Sequence, residues 1–516
     1  MLRFIVAFVL CFVVTACAPV RDGQIVVLSC KDPLAGLQAL PVKQRQSLDA
    51  KMLTRFYSTS PDCIWSKTNE RILLVALDAA PAQGFPSDAF HANAIRLTRE
   101  PVEKELLLTD AALRYARAMR RGRVAPARLA RDVDITLPGY DPAQGLRGAL
   151  IANTLAAWLR SLPPAQHGYT RLVDAYARYR ELEAAGGWST LDVPGKSVKP
   201  GEQSSILDAL QQRLIAEGDL AVAQGANVYE RLEGSLLDAL KHFQRRHGLE
   251  ADGVLGEKTV AALNVSAAAR ADQIASNLER WRMLSGVIEP TRFEVNVASA
   301  TATLYVNGAI TLDMRVIVGA KETPTPILMS DIDTVTVNPS WIVPFSIVRK
   351  EILPAIKRDP DYLVKHDMFW RDGQLVQASG AKNSLGYLKF EMPSAFSVYL
   401  HDTPSRRLFA RDERALSHGC IRLEKPLDLA EILLRDNPEW TRSDIEKAID
   451  EGATQRIPVS PAMPVVVLYW TSFVDPDGTV EFRNDVYGRD ARLAALLAGN
   501  KPISSLASTK LTACGA

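Results

Sequence analysis

The chain has 516 residues, of which 47% are hydrophobic and 23% charged, with a net charge of +2 at neutral pH. This length predicts three or four domains, each long enough to bury its own core. Because basic and acidic residues nearly cancel, the charge gives no sign of a nucleic-acid partner. After the N-terminal residues, no segment is long and apolar enough to span a membrane.

Residues 1–17 have the pattern of a targeting segment. Arg3 supplies a positive charge, an apolar run follows, and small residues precede Cys17. This arrangement resembles the lipobox of bacterial lipoproteins, in which the cysteine is lipidated. Ala18, rather than Asp, after that cysteine is by analogy compatible with outer-membrane sorting. A cleaved signal peptide or an uncleaved anchor helix is the alternative. In each case we expect the chain to be exported from the cytoplasm to the periplasm. Of these alternatives, we favour a lipid anchor in the membrane.

Export makes the other cysteines relevant, because disulfides form in oxidising compartments. Cys30 and Cys63 could pair there, and Cys514 could compete for either. We expect Cys420 to stay out of any disulfide, since the chemistry proposed below needs its free thiol.

Residues 18–199 predict a helical scaffold domain that ends in a linker. Apolar periodicity predicts helices from Ala111 to Arg121, from Leu150 to Leu162 and from Tyr169 to Glu183. Residues 190–203 are rich in Pro, Gly and Ser and predict the linker.

Residues 200–266 predict a small helical bundle. One apolar helix face begins at Ile206, a second helix is expected between Tyr229 and Phe243, and a third is expected to begin at Thr259 after the Asp252-Gly253 turn. The glycines and core leucines resemble peptidoglycan-binding domain 1, a three-helix bundle. This resemblance implies wall binding, with a pure spacer role as the alternative. Residues 267–290 predict a helical connector.

Residues 291–492 are expected to form a mostly-β domain, followed by a C-terminal tail at residues 493–516. Strands are expected at 293–297, 303–306 and 314–318, with Asn307-Gly308 as a hairpin turn. Residues 346–386 interrupt this pattern with a helix from Ile347 to Lys357 and a mixed loop.

Two of the seven histidines lie around Cys420 in this region. His418 is two residues before the cysteine, and His401 is nineteen before it, at the end of a run from Phe396 to Leu400 that predicts a strand. A helix from Leu427 to Leu434 is expected to follow. A free thiol has a pKa of about 8.5 and needs a neighbouring base to become a nucleophile at neutral pH.

These residues resemble the L,D-transpeptidases with a YkuD-type catalytic domain. That family has a histidine, a spacer of about fifteen residues, Ser/Thr-His-Gly-Cys, one apolar residue, and Arg or Asn. Residues 316–319, 325–326, 338–341, 468–470 and 485–488 extend the resemblance, the last two toward the larger periplasmic YcbB-type branch. One departure is the run Thr323-Pro324-Thr325-Pro326, which lacks the basic residue that often precedes the first Thr-Pro pair. The implied fold is a multidomain α+β protein whose mostly-β catalytic domain carries a helical and loop lid at 346–386.

The resemblance implies a peptidoglycan L,D-transpeptidase that needs no cofactor and no metal. Cys420 would attack a tetrapeptide stem, release D-alanine and hold a thioester, which an amine of a second stem resolves into a 3→3 cross-link. His401 is the expected proton acceptor and donor. His418 is expected to shape the oxyanion site or substrate pocket, with a base role as the alternative. The backbone N–H groups of Gly419 and Cys420 are expected oxyanion donors, with Tyr399 as a possible further donor.

Three more residues are candidate substrate contacts. Ser417 is expected to hydrogen-bond locally beside the substrate, and Trp341 lies in a matching segment. Arg422 either holds a substrate carboxylate or stiffens the loop through a salt bridge. A zinc site built from His401, His418 and Cys420 would lack a fourth ligand at a recognisable spacing.

Two other functions are compatible with the sequence. The same thioester attacked by water, or by a wall-bound protein, gives an L,D-carboxypeptidase or an enzyme that attaches and detaches proteins. The other is a non-catalytic wall-binding lipoprotein with a degenerate site.

Overall fold

The structure is a computed structural model that describes residues 32–59, 62–193, 195, 197–222 and 228–499. The targeting segment with Cys17, together with Cys30 and Cys514, lies outside these residues. Across the described ranges, no helix is long and apolar enough to cross a membrane. The chain forms two compact units. The first comprises Met1–Leu77, Phe90–Leu113 and Ala143–Trp158, and the second comprises the rest of the chain.

The first unit is helical, as expected for the scaffold. Its helices, four of which include residues of the second unit, are Pro33–Ala39, Val42–Ser47, Ala50–Tyr57, Lys67–Asp78, Ala92–Leu97, Pro101–Arg121, Pro142–Ile151 and Leu155–Arg160. In its core the buried carboxylate of Glu105 accepts a hydrogen bond from the Tyr57 hydroxyl at 3.1 Å and from the Ile64 N–H at 2.8 Å. These bonds satisfy a polar group that would otherwise be costly to bury.

One scaffold prediction is wrong. The helix expected from Leu150 to Leu162 is two helices that are separated at Asn153, which has a φ of 53°. A residue in the left-handed region ends a helix, and asparagine tolerates that region better than most residues. The expected helix around Tyr169 is present as His167–Ala184, in the second unit.

The second unit contains a three-helix bundle, formed by Leu207–Glu217, Gly234–Arg246 and Glu257–Leu263. The last helix starts before Thr259, contrary to expectation, and Gly256 caps it. The Thr259 hydroxyl instead donates to the Val254 carbonyl at 3.2 Å and holds the preceding turn. The predicted linker is also ordered in part, since Leu191 packs into the bundle core.

The bundle packs directly against the β-rich domain that follows it. His247, at the end of its second helix, stacks on Phe482 with 5.3 Å between ring centroids. Arg483 donates to the Arg246 carbonyl at 3.0 Å. The connector helix Ala267–Leu284 runs beside this contact, and its Arg270 lies over the Phe482 ring.

This β-rich domain, expected to be catalytic, is built on a large mixed sheet. Its path joins Val133–Asp134, Ile327–Val337, Gln455–Leu468, Arg292–Asn296, Thr301–Val306, Ala309–Gly319, Ile421–Leu423, Leu400–His401 and Leu388–Glu391. The last of these strands also pairs with Ile327–Val337, so the sheet closes on itself. Ala415–Ser417 pairs with Ala309–Gly319 outside this path. The expected hairpin is confirmed, with positive φ at both Asn307 and Gly308.

Alternation along the strands separates two faces of the sheet. Phe293, Val295, Ala302, Leu304 and Met314 point into the main core. The helices Pro426–Leu434 and Arg442–Glu451 close that core. The intervening residues on the same strands point to the opposite face, because side chains alternate along a strand.

The expected interruption of the β pattern folds as a small subdomain with its own core. Strands Trp341–Ile342, Gln374–Gln377 and Met368–Arg371 form a sheet. A continuous helix packs on this sheet and consists of Phe345–Ile347, a π-helical stretch Val348–Ile352 and Leu353–Arg358. A short helix, Tyr362–Lys365, follows it. The domain ends with the hairpin Ser472–Val474 and Val480–Phe482, followed by helix Arg489–Leu497. These modules confirm the multidomain α+β organisation.

Candidate active site

Two short parallel strands place the candidate catalytic residues together. Leu400 pairs with Ile421, and His401 pairs with Arg422. Since Leu400 and Ile421 both enter the main core, His401 and Arg422 share the opposite face. Ile421 N–H donates to the Tyr399 carbonyl at 3.2 Å, which continues the pairing toward Cys420. The strand expected from Phe396 to Leu400 is correspondingly shorter, because Ser397 has a φ of 52° and the strand begins only at Leu400.

Ser417 fixes the turn that carries the cysteine. Its hydroxyl donates to the Cys420 carbonyl at 2.5 Å and accepts the Gly419 N–H at 3.1 Å. Gly419 has a φ of 117°, a conformation that L side chains rarely adopt. The local role expected for Ser417 is therefore present. The Gly419 N–H is occupied by that contact, so we drop it from the proposed oxyanion site.

Two residues that the motif does not include hold the same turn from the sheet side. Thr325 Oγ1 donates to the Gly419 carbonyl at 2.8 Å and accepts the Gly319 N–H at 2.8 Å. The Tyr487 hydroxyl donates to the Gly319 carbonyl at 2.5 Å. A Cβ on Gly319 would lie 2.1 Å from the Thr323 carbonyl oxygen, so only glycine fits there. The sequence places Thr325 and Tyr487 in matching segments but gives no sign that they meet.

His401 is buried and neutral. Its Nδ1 lies 2.5 Å from the Asp402 carbonyl oxygen, which can only accept, so Nδ1 carries the proton and Nε2 presents a lone pair. Burial, together with the positive charge of Arg422, lowers the pKa of His401 to about 3, although backbone hydrogen bonds with Asp402 and Leu385 act in the opposite direction. An imidazole in this tautomer can accept a proton.

Tyr399 lies beside His401, with ring centroids 5.7 Å apart in an edge-to-face arrangement. Burial raises the pKa of the Tyr399 hydroxyl, so it keeps its proton and can donate. Trp341, from the first strand of the inserted subdomain, adjoins it and packs against the main core. The indole Nε1 of Trp341 is buried, and its contact with the Tyr399 hydroxyl partly offsets the rise in the pKa of that hydroxyl.

The Arg422 side chain is half-buried, with its Nε fully buried, and has no counter-ion among the described residues. No carboxylate of the described residues lies within salt-bridge distance of it, and its Nε has no hydrogen-bond partner there. Burial lowers the pKa of Arg422 for this reason. Of the two roles expected for Arg422, the loop salt bridge is absent from the described part of the chain. An unpaired, half-buried guanidinium is well suited to a ligand carboxylate.

His418 points away from the sheet and contacts the inserted subdomain. Its Nε2 lies 2.6 Å from Glu351 Oε1, in the π-helical stretch. The side chains of His418 and Glu351 are 40% and 50% exposed. The sequence does not reveal this contact, because 67 residues separate the two partners.

Cys420 is 5% exposed and is part of a disulfide. Cys63 is also disulfide-bonded, as the sequence allowed, while Cys30 and Cys514 lie outside the described residues. The expectation that Cys420 avoids any disulfide is therefore wrong for this structure. The reason is that the need for a reduced thiol belongs to the reaction, whereas disulfide formation follows from which cysteines meet in the fold.

Three protein families match separate parts of the chain. "L,D-transpeptidase catalytic domain" (YkuD) matches residues 290–467, "Scaffold domain" matches 51–175, and "Putative peptidoglycan binding domain" matches 203–263. A protein of Haemophilus influenzae called "Putative L,D-transpeptidase" is 32% identical over 245 residues, which are 43% of this chain and 48% of that relative. The chain thus spans about half the length of this curated relative.

Solved structures show only distant likeness. An L,D-transpeptidase from Mycobacterium smegmatis is 16% identical, with a TM-score of 0.19 over 34% of this chain and 57% of its own. A transpeptidase fragment from Xylanimonas cellulosilytica is 14% identical, with a TM-score of 0.17 over 54% of this chain and 100% of its own. Scores this low add nothing to the argument from the families.

Proposed function

Since this chain carries a YkuD L,D-transpeptidase catalytic domain and a peptidoglycan-binding domain, we propose that it forms 3→3 cross-links between peptidoglycan stem peptides through a thioester on Cys420. The observation that carries the proposal is the pairing of neutral His401 with unpaired Arg422 on adjacent strands, next to Cys420. A base and a carboxylate receptor then flank one nucleophile.

The first half-reaction would acylate the enzyme. His401 Nε2 takes the thiol proton, and the Cys420 thiolate attacks the carbonyl carbon of the third stem residue. The peptide bond to the terminal D-alanine breaks, and its amine leaves with a proton returned by His401. Arg422 would hold a carboxylate of the donor stem, and Tyr399 would donate a hydrogen bond to the developing oxyanion.

The second half-reaction would transfer the acyl group. The side-chain amine of a diamino acid on a second stem attacks the thioester, His401 accepts the amine proton, and the thiolate leaves. The inserted subdomain favours this aminolysis over hydrolysis, because its contact with His418 through Glu351 places a cover beside the nucleophile.

The reaction requires a reduced thiol, whereas the structure has Cys420 in a disulfide. In this proposal the structure represents an oxidised resting form, and a thiol reductant must convert it before acylation.

The test is an incubation of the reduced protein with tetrapeptide muropeptides, beside Cys420→Ala, with products read by mass spectrometry. Cross-linked dimers and free D-alanine from the wild type alone are expected. Tripeptide without dimer would establish the carboxypeptidase alternative, and identical products from both proteins would overturn the catalytic proposal.

We further propose a periplasmic location with a lipid anchor on Cys17. This rests on the order of charge, apolar run and small residues before that cysteine. Mass spectrometry of the N-terminal peptide from membranes should show a diacylglycerol adduct that Cys17→Ala lacks. An unmodified N-terminus in the soluble fraction would contradict the anchor.

A further inference from the structure

A large cleft lies on the outer face of the catalytic sheet, separate from the nucleophile. It has a volume of about 1100 Å³. Its floor contains Glu294, Thr303 and Asp313, which lie side by side on three neighbouring strands, and the row Asn296, Thr301 and Arg315 follows. These residues alternate with core residues of the same strands, so the cleft occupies the face opposite the core.

The connector helix, helix His167–Ala184 and the C-terminal hairpin cover the cleft on the side opposite its floor. Trp281 of the connector helix stacks on Trp470, with ring centroids 4.7 Å apart. Arg171, in the first turns of helix His167–Ala184, donates to the carbonyls of Asp475 and Pro476 at 2.9 and 2.8 Å, which fixes the hairpin over the cleft. A polar sheet face is usually open to solvent, whereas here it forms the floor of a half-open cleft.

The cleft lies on the same face of the sheet as the candidate catalytic residues. Arg422 pairs with Ile317, two residues beyond Arg315 on the same strand, so both lie on the same face of the sheet. Glu424, which lines the cleft, is bound to Arg315, and its carboxylate accepts from Arg315 Nε at 2.9 Å. Since a strand advances about 3.3 Å per residue, Glu424 is about 13 Å from Cys420 along the chain. That distance is about the length of four extended peptide residues.

The charges in the cleft largely compensate each other. Its lining contains five arginine or lysine and five aspartate or glutamate side chains. Arg292 pairs with Glu294 at 2.6 Å and lies over the Tyr305 ring, 4.0 Å from its centroid. Burial raises the pKa of Asp475 to about 6, and the negative charge of nearby Glu481 adds to this effect. Such a surface offers many hydrogen bonds and aromatic contacts without selecting an ion of either sign.

We infer that this cleft binds a neutral saccharide, namely the N-acetylhexosamine strand that carries a stem peptide engaged at Cys420. The inference rests on the proposed function for the identity of the reacting peptide. Hydroxyl and acetamido groups match the paired guanidinium and carboxylate groups, and the apolar faces of the sugar rings match the aromatic side chains. The volume exceeds that of a pocket for one small ligand, which suits several linked sugars.

The test uses Thr303→Trp, which places an indole on the cleft floor, in the full-length reduced protein. Thr311→Trp is the matched control, because Thr311 is exposed on the neighbouring strand and does not line the cleft. Turnover is measured with a disaccharide-linked tetrapeptide and with the free tetrapeptide. Thr303→Trp should lower kcat/KM at least tenfold for the saccharide-linked substrate and less than twofold for the free peptide, whereas Thr311→Trp should change neither.

A loss that is equal for both substrates would overturn the saccharide assignment and place peptide in the cleft. No loss for either substrate would overturn it as well. Thr303→Arg replaces the indole variant if circular dichroism shows that Thr303→Trp does not fold.

If the wild type turns over neither substrate, the proposed function fails. A binding measurement then still tests whether the cleft binds a saccharide. Saturation-transfer NMR with an N-acetylglucosamine tetrasaccharide should then show weaker transfer to Thr303→Trp than to Thr311→Trp. Equal transfer would overturn the inference.

Discussion

The imidazole Nε2 of His418 lies 2.6 Å from Oε1 of Glu351, and this contact joins the loop of the candidate nucleophile to the inserted subdomain. Both side chains are partly exposed, so their interaction is worth about 1 kcal/mol or less. A contact of this size can bias a lid between open and closed states without locking it.

We expect Glu351→Gln to weaken closure of this subdomain. The fraction of acyl-enzyme lost to water should rise about two- to fivefold, while the thermal midpoint of unfolding stays unchanged. The ratio of tripeptide to dimer, measured by mass spectrometry, gives this fraction. Lys350→Gln, one residue earlier on the same exposed helix, is the control, and an equal rise in that variant would remove Glu351 from the explanation.

Arg422→Met should separate the two expected roles of the guanidinium. Loss of hydrogen bonds to a charged group costs about 1.5–3 kcal/mol, so kcat/KM for a tetrapeptide donor should fall about 10- to 150-fold. The thermal midpoint should stay the same or rise slightly, because a half-buried, unpaired charge is removed. A clear fall in the midpoint, beside an unchanged exposed Arg407→Met control, would instead indicate a structural role.

The low pKa of His401 predicts a pH dependence of stability. An unfolded histidine with a pKa of about 6.5 takes up a proton below that pH, whereas folded His401 stays neutral down to about pH 3. The contribution of His401 is therefore complete above about pH 6.5 and is lost progressively as the pH falls through this window, by up to about 1.4 kcal/mol per unit.

His401→Gln should reduce this dependence between pH 6.5 and pH 4 in urea unfolding experiments, and buried His247, whose pKa is also lowered, should keep the remainder. The exposed His167→Gln variant should keep the wild-type slope. If His401→Gln and the wild type lose stability in parallel over this range, His401 does not titrate as its burial requires.

The disulfide at Cys420 predicts a dependence on thiol reductants. Without a reductant, iodoacetamide should leave the peptide that contains Cys420 unlabelled, and D-alanine release should be at the level of Cys420→Ala. Treatment with a dithiol should restore labelling and activity together. Complete labelling of the untreated, folded protein would contradict the oxidised resting form.

The elements that the sequence predicts correctly are those specified by residues close together in the chain. The first catalytic hairpin was predictable because alternating residues and an Asn-Gly turn specify strands and register without distant partners. The strand before His401 was predicted too long, because the left-handed φ at Ser397 depends on its surroundings. Cys420, His401 and Arg422 are singled out by the resemblance of their motif to a known family, and their catalytic roles stay predictions. Thr325, Tyr487 and Glu351 are not singled out in this way, since their roles arise from contacts between segments far apart in the sequence.

The stacking of His247 on Phe482 has a consequence for how the enzyme would work on a polymer. A bundle fixed to the catalytic domain by rings and backbone hydrogen bonds moves with it as one body. If the bundle holds one glycan strand, the nucleophile then stays at a constant offset from that strand. The distance between the joined glycan strands would then be set by the rigid contact between the bundle and the catalytic domain rather than by a flexible linker.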